Sequence, residues 1–161
     1  MRKITERLTQ AAVAGAIAVS GTAISAGSAH ADSAYACRSA NTHGRYAAVY
    51  GSSVYLDSCY NVQDDRRTIE AQVGFQNYTG QGLTYCAHAL NVNNINGPWA
   101  HDFGCTSSGD LTGTVWAGRD PGYGSSWSEW TAPAGTYVIS TGVWIDGHYY
   151  GDVQSPRTTI G

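Results

Sequence analysis

The sequence predicts an all-β fold, an antiparallel β-sandwich of immunoglobulin-like architecture held by two disulfides. Apolar and polar residues alternate with a period of two along most of the chain, and no helical periodicity is sustained. Clusters of Gly, Asn, Asp, Ser and Pro interrupt the alternation at short, near-regular intervals, the spacing of a sandwich or barrel. Four cysteines stand singly, an even number suited to bridges.

The first segment is a leader. Met1 to Gln10 carries Arg2, Lys3 and Arg7 against Glu6, and Ala11 to Val19 is unbroken small and apolar sequence. Ala29-His30-Ala31 supplies the small-x-small exit of a secretory signal peptide. A membrane anchor is the rival reading, but nine apolar residues fall well short of the roughly 20 that a span needs. Removal of residues 1–31 leaves one domain, residues 32–161, with no later membrane span; the product is expected to be secreted and extracellular. A domain of that size can bury about two-thirds of its unfolded surface, enough for one core. The chain shows no repeat, linker or second domain.

Nine strands are expected in order: 45–50, 53–60, 67–78, 82–92, 99–105, 112–117, 126–131, 136–146 and 148–153. The clearest alternation places Ile69, Ala71, Val73 and Phe75 on a core face, with Thr68, Glu70, Gln72, Gly74 and Gln76 on a solvated one. Turn clusters separate the strands at Thr79–Gly82, Asn93–Pro98, Ser107–Asp110 and Arg119–Gly122. Asp146-Gly147 tolerates the positive φ values of a type I′ hairpin and joins the last two strands. Pro133-Ala134-Gly135-Thr136-Tyr137 resembles the tyrosine corner of immunoglobulin-like sandwiches, which tips the choice from barrel to sandwich. Ile139 stands where an immunoglobulin domain has its second cysteine, so the likeness is of architecture alone.

Cys37, Cys59, Cys86 and Cys105 all lie in the mature domain. Four cysteines allow three connectivities. Sequential pairing, Cys37 with Cys59 and Cys86 with Cys105, is favoured because it closes two local loops of about 20 residues, each worth roughly 3 kcal/mol. A zinc site is set aside because there is no C-x-x-C pair and the histidines lack finger spacing.

Charge narrows the partner. The mature part carries six arginines and no lysine against eleven acidic residues, a net charge of −5. Nucleic acids and anionic membrane surfaces need a basic footprint, so neither is expected. All 18 aromatic residues are in the mature part, more than one core of this size accommodates. Exposed Trp and Tyr supply large contact area at low entropy cost, which suits a binding surface; the same rings also favour strands.

No catalytic signature stands out, and neither a metal nor a cofactor is expected. There is no G-x-S-x-G elbow, and the thiols are expected to be oxidised. His101 and Asp102 are neighbours on a strand and face opposite sides, so they form no dyad. His101 is expected to share a side with Trp99, Phe103 and Cys105 as a half-buried structural histidine. His43, His88 and His148 are scattered. Asp57, Glu70 and Glu129 are the carboxylates available for glycoside hydrolysis, but nothing in the sequence brings two together. Asp64 to Arg67 reads as a solvated turn with local charge pairing. A calcium loop would need alternating acidic ligands, which are lacking.

Three stretches are candidate recognition surfaces. Trp116, Tyr123, Trp127 and Trp130 border a Gly-rich loop and would form an aromatic platform for a sugar or a protein. Trp127 and Trp130 are three residues apart, so one would anchor the core and the other lie outside. Tyr149 and Tyr150 close a second surface on a strand that a partner could extend if it lies at a sheet edge. The leading segment Asp32, Ser33, Ala34, Tyr35 and Ala36 precedes the first cysteine and would be free to insert into a partner, or would fray.

With Cys37-Arg38-Ser39, Asp57-Ser58-Cys59 and the closing Tyr150 to Arg157 in view, the chain resembles small secreted β-sandwich proteins of actinobacteria. It is most similar to the adaptor subunit of umbrella-shaped secreted toxin particles. That resemblance implies an adaptor joining a toxin-bearing scaffold to a lectin subunit, partly through its N-terminal segment, here Asp32–Ala36. A non-catalytic protein-binding adaptor with extracellular protein partners is therefore the leading expectation. A carbohydrate-binding module using the tryptophans is the alternative. An enzyme inhibitor presenting a rigid loop at Asn91–Pro98 comes third, and a hydrolase fourth.

Overall fold

The alternation resolves into two antiparallel sheets. The computed structural model describes residues 34–94, 96–118 and 128–161; the leader, Asp32, Ser33, Tyr123 and Trp127 lie outside the described residues. The elements are β1 (Ala34–Cys37), α1 (Arg38–Asn41), β2 (Ala47–Tyr50), β3 (Val54–Val62), β4 (Thr68–Asn77), β5 (Leu83–Asn91), a 3-10 turn (Val92–Asn94), β6 (His101–Ser108), β7 (Thr112–Trp116), β8 (Glu129–Thr131), β9 (Gly135–Ile145), β10 (His148–Gln154) and β11 (Thr158–Ile160). The first sheet runs β1-β3-β4-β7, with β2 sharing an edge of β3 with β1 and β8 sharing an edge of β4 with β7. The second runs β10-β9-β5-β6, and β11 pairs with the start of β9.

The core lies between the sheets and comes from the inward positions of both. Leu56, Ile69, Val73 and Phe75 from one meet Tyr85, Phe103, Ile139 and Val143 from the other, all essentially inaccessible to water. The Phe75 ring of β4 stacks on Tyr85 of β5 with centroids 4.4 Å apart. Beside it the Ser58 hydroxyl of β3 donates to the Ile139 carbonyl of β9 at 2.7 Å, a polar bond across the sandwich.

All nine expected strands have a counterpart among the described residues. β1, β11 and the single-turn α1 were not expected, because segments of three or four residues are too short to show a period. The sharpest expectation needs a correction. β4 spans the expected residues, but its second face is not wet: Thr68, Glu70 and Gly74 are buried there too, and Gln72 and Gln76 are half-buried. Polar partners cover it. Asp65 accepts from the Thr68 hydroxyl at 2.6 Å, and Glu70 accepts from the Asn61 and Gln63 amides at 2.7 and 3.1 Å. The Asp64–Arg67 turn is likewise organised by hydrogen bonds, with Asp65 Oδ1 accepting from the Arg67 and Thr68 backbone N–H groups. Those bonds hold the Asp65 carboxyl below its ordinary pKa.

Both disulfides form as sequential pairs, and each joins directly opposed residues of adjacent strands with Cα atoms 4.0 Å apart. Each therefore lies within a sheet, whereas the immunoglobulin bridge crosses between sheets. The tyrosine corner is present: the Tyr137 hydroxyl donates to the Pro133 carbonyl at 3.0 Å. Asp146 and Gly147 both have positive φ, +50° and +79°, as a type I′ turn requires.

One core group is imperfectly satisfied. Tyr85 is fully buried and its hydroxyl has no hydrogen-bond partner among the described residues. Burial first, and then the nearby Asp110 charge, push its pKa up to about 12. An unpaired buried hydroxyl carries a desolvation penalty of about 1–3 kcal/mol. Tyr85→Phe is therefore expected to raise the unfolding free energy by about 1 kcal/mol in a urea titration; a decrease would show that the hydroxyl is bonded in solution.

Candidate functional site

The outward face of the five-stranded sheet gathers three exposed aromatic residues, Trp99, Trp144 and Tyr149, whereas the exposed Tyr35, Tyr50 and Tyr78 lie on or beside strands of the other sheet. Alternation along β5 turns Thr84, Cys86, His88 and Leu90 outward, opposite Trp144, Gly142, Ser140 and Val138 of β9. On the flanks, Asp102 and Cys105 of β6 stand opposite His88 and Cys86, while Tyr149 and Gln154 of β10 stand opposite Trp144 and Ser140.

Two backbone irregularities build the site. Between Ala87 and His88 the register with β6 slips, and Gly104 takes a φ of +81°, with its N–H donating to Asp102 Oδ1 at 2.8 Å. A bulge adds one residue on one strand, so side chains beyond it change face. Phe103 therefore enters the core, while Asp102 and Cys105 both point outward. The expectation that His101, Phe103 and Cys105 share a side is thus corrected. The expected half-buried role of His101 holds, since its ring stacks on Trp130 at 5.3 Å and meets Phe103 edge-on at 4.8 Å. The second irregularity is Gly142, where a Cβ would collide with the Tyr149 ring. Tyr149 occupies the space that Gly142 leaves and sits beside Trp144, centroids 5.6 Å apart.

Trp99 completes the surface from the loop before β6. Its ring stacks on His88 with centroids 4.1 Å apart and planes 14° apart. Trp99, Trp144 and Tyr149 are 56, 45 and 36% exposed, large for rings on a pinned sheet. With the Cys86–Cys105 bridge and Asp102 they line a cavity of about 380 Å³. The His88–Trp99 stack separates it from a second, more polar cavity of about 360 Å³ bordered by Asn96, Asp152 and Gln154.

The electrostatics follow from burial among acids. Burial pushes the Tyr149 hydroxyl up to about 12, and Asp152 and Asp102 push the same way. Burial lowers the pKa of His88, opposed by Asp152 and Asp102, so His88 is held neutral. His101 is lowered too, again by burial. A histidine depressed in the fold binds its proton more readily when unfolded, so its stabilising effect is complete above the unfolded value near 6.5 and is lost as pH falls through it. The unfolding free energy is expected to drop between pH 7.5 and pH 5. His88→Gln should reduce that drop, His101 supplying the remainder; a variant with the wild-type pH profile would exclude His88 as its source.

The sequence-predicted residues fare unevenly. Trp116 and Trp130 do not share a platform. Trp130 faces inward, packing edge-on against Tyr137 at 5.0 Å and Phe103 at 6.5 Å, whereas Trp116 is half-buried on the opposite side of the six-stranded sheet. Tyr123 and Trp127, the other half of that platform, are outside the described residues. The segment Asp32–Ala36 is not free from Ala34 onward. Ala34, Tyr35 and Ala36 belong to β1, in register with Val62, Asn61 and Tyr60, and the Tyr35 hydroxyl donates to Gln72 at 2.6 Å. Backbone pairing and the Cys37–Cys59 bridge hold this stretch as an edge strand. Of the closing tyrosines, Tyr149 joins the aromatic face, while Tyr150 turns inward against Tyr50 at 4.9 Å.

No sequence motif joins Trp99 and Trp144 to Tyr149. A signal existed for Trp144, which alternates with the core residues Val143 and Ile145 and must face out. Trp99 enters through a loop, where alternation says nothing. Glu70 and Glu129 stand directly opposite each other on β4 and β8, a pairing that no local pattern announces. They lie on the other sheet from the aromatic face, and Glu70 is buried against its two amides. Among the described residues one group has metal-ligand proximity, Cys37, Asp57 and Cys59, but both sulfurs are tied in the disulfide. No helix among the described residues is long and apolar enough to cross a membrane. No protein-family model matches the chain, and comparison with curated proteins and with solved structures yields no match.

Proposed function

We propose that the mature chain is a secreted, non-catalytic protein-binding module that acts as an adaptor in an extracellular antibacterial complex. The observation that supports this reading is the side-by-side exposure of Trp99, Trp144 and Tyr149 on the outward face of a sheet pinned by Cys86–Cys105. Tyr and Trp dominate the energetic centres of protein interfaces. A sheet that is already ordered loses little further entropy when a partner docks on it. The leader, the bridges and the resemblance to toxin-particle adaptors agree with this role, and the acidic mature domain favours a protein partner over nucleic acid.

The test is isolation of the tagged, full-length chain from the culture medium of its own producing cells. Stable co-purification with a larger exported protein is expected, and Trp144→Ala should weaken capture by about 30-fold or more, the effect of losing an interface hot spot. Equal capture by the variant would overturn the assignment of this face, and a chain isolated alone would overturn the adaptor reading.

A further inference from the structure

We propose that the cavity on the far side of the His88–Trp99 stack binds one pyranose ring of a neutral or amino sugar. Four observations converge on it. Trp99 rests one face on His88, which is 5% exposed and holds the indole in place, and leaves the other face to solvent. A fixed indole is a platform for the apolar C–H face of a sugar ring. Asn96, Asp152 and Gln154 border the cavity with two amides and one carboxylate, the donors and acceptors that vicinal hydroxyls need. Its volume of about 360 Å³ lies within the range of small-ligand sites.

The fourth observation concerns the backbone. Asp152 has a φ of +64°, in the left-handed region, where β10 slips register against β9 between Tyr150 and Val153. Non-glycine residues are uncommon there, and bulges re-aim side chains. The strained turn sets the Asp152 carboxylate at the rim of the cavity.

Charge sets the sugar class. Among the described residues the lining contains no Arg or Lys, while Asp152 borders it and Asp102 lies across the stack, which opposes uronic and sialic acids and favours hydroxyl or ammonium groups. This goes beyond the adaptor reading and shares only Trp99 and His88 with its surface.

The experiment is titration of the mature protein by calorimetry with chitotriose, xylotetraose, cellotetraose and mannotriose, with polygalacturonate as the anionic control. Saturable binding to at least one neutral or amino oligosaccharide and none to polygalacturonate is expected. Asp152→Asn, which keeps a residue tolerant of positive φ, and Trp99→Ala should each weaken binding at least tenfold, while Trp144→Ala binds as wild type. Silence across the panel, binding that survives both substitutions, or loss in Trp144→Ala would each overturn the site. Co-purification of a protein partner is scored separately, so failure of one reading leaves the other standing.

Discussion

Phe75→Ala is expected to lower the unfolding free energy by about 3–5 kcal/mol, the cost of truncating a large buried ring. Phe75 is 1% exposed and stacks on Tyr85 of the opposite sheet, so truncation removes contacts on both sides of the core at once. The strand beside it cannot close the gap, because the nearest neighbour on β7 is Gly113, which has no side chain to offer. A domain of this size has about 5–15 kcal/mol in total, so the variant should unfold at markedly lower urea. Phe75→Leu, which retains most of the volume, should lose less. A loss below about 1 kcal/mol in the alanine variant would mean that the sheets do not pack through this contact.

Removing the Cys86–Cys105 bridge by double substitution to alanine is expected to cost about 3 kcal/mol, because it releases the loop of 19 residues that the bridge closes in the unfolded chain. Removing Cys37–Cys59, with a separation of 22, should cost nearly the same. The two variants separate stability from recognition. Cys86 and Cys105 line the aromatic cavity, whereas Cys37 and Cys59 lie on the other sheet. Loss of partner capture is therefore expected in the Cys86/Cys105 variant and not in the Cys37/Cys59 variant, at a temperature where both remain folded. Equal loss in both would show that capture tracks global stability rather than this face.

Features with a local cause were legible in the sequence. Ile69 to Phe75 read as an alternating core strand because period two is a property of the chain itself, and Asp146-Gly147 read as a hairpin because its φ preferences are intrinsic. The Cys37–Cys59 and Cys86–Cys105 pairs followed from short loops. The Tyr137 hydroxyl bond to Pro133 spans four residues and carries its own signature. Features with a non-local cause were not legible. Alternation puts Glu70 in water, yet its burial depends on Asn61 and Gln63, brought over by the β3–β4 turn. Ala34–Ala36 reads as free because its partner strand begins some 20 residues later.

Composition and periodicity by themselves determined the fold class, the strands, the bridges and the expectation of an exported chain, since each rests on residues close together in sequence. They also showed that more aromatic rings exist than one core holds. Alternation turns Trp144 outward, but which rings join it there was decided by the tertiary structure. A single extra residue at Gly104 reverses the facing of β6, and the missing side chain of Gly142 admits Tyr149 beside Trp144. A one-residue slip moves every later side chain to the other face of a sheet. The platform foreseen at Trp116 and Trp130 was thereby replaced by Trp99, Trp144 and Tyr149, because the facing of a side chain depends on register between strands and not on the order of residues along one.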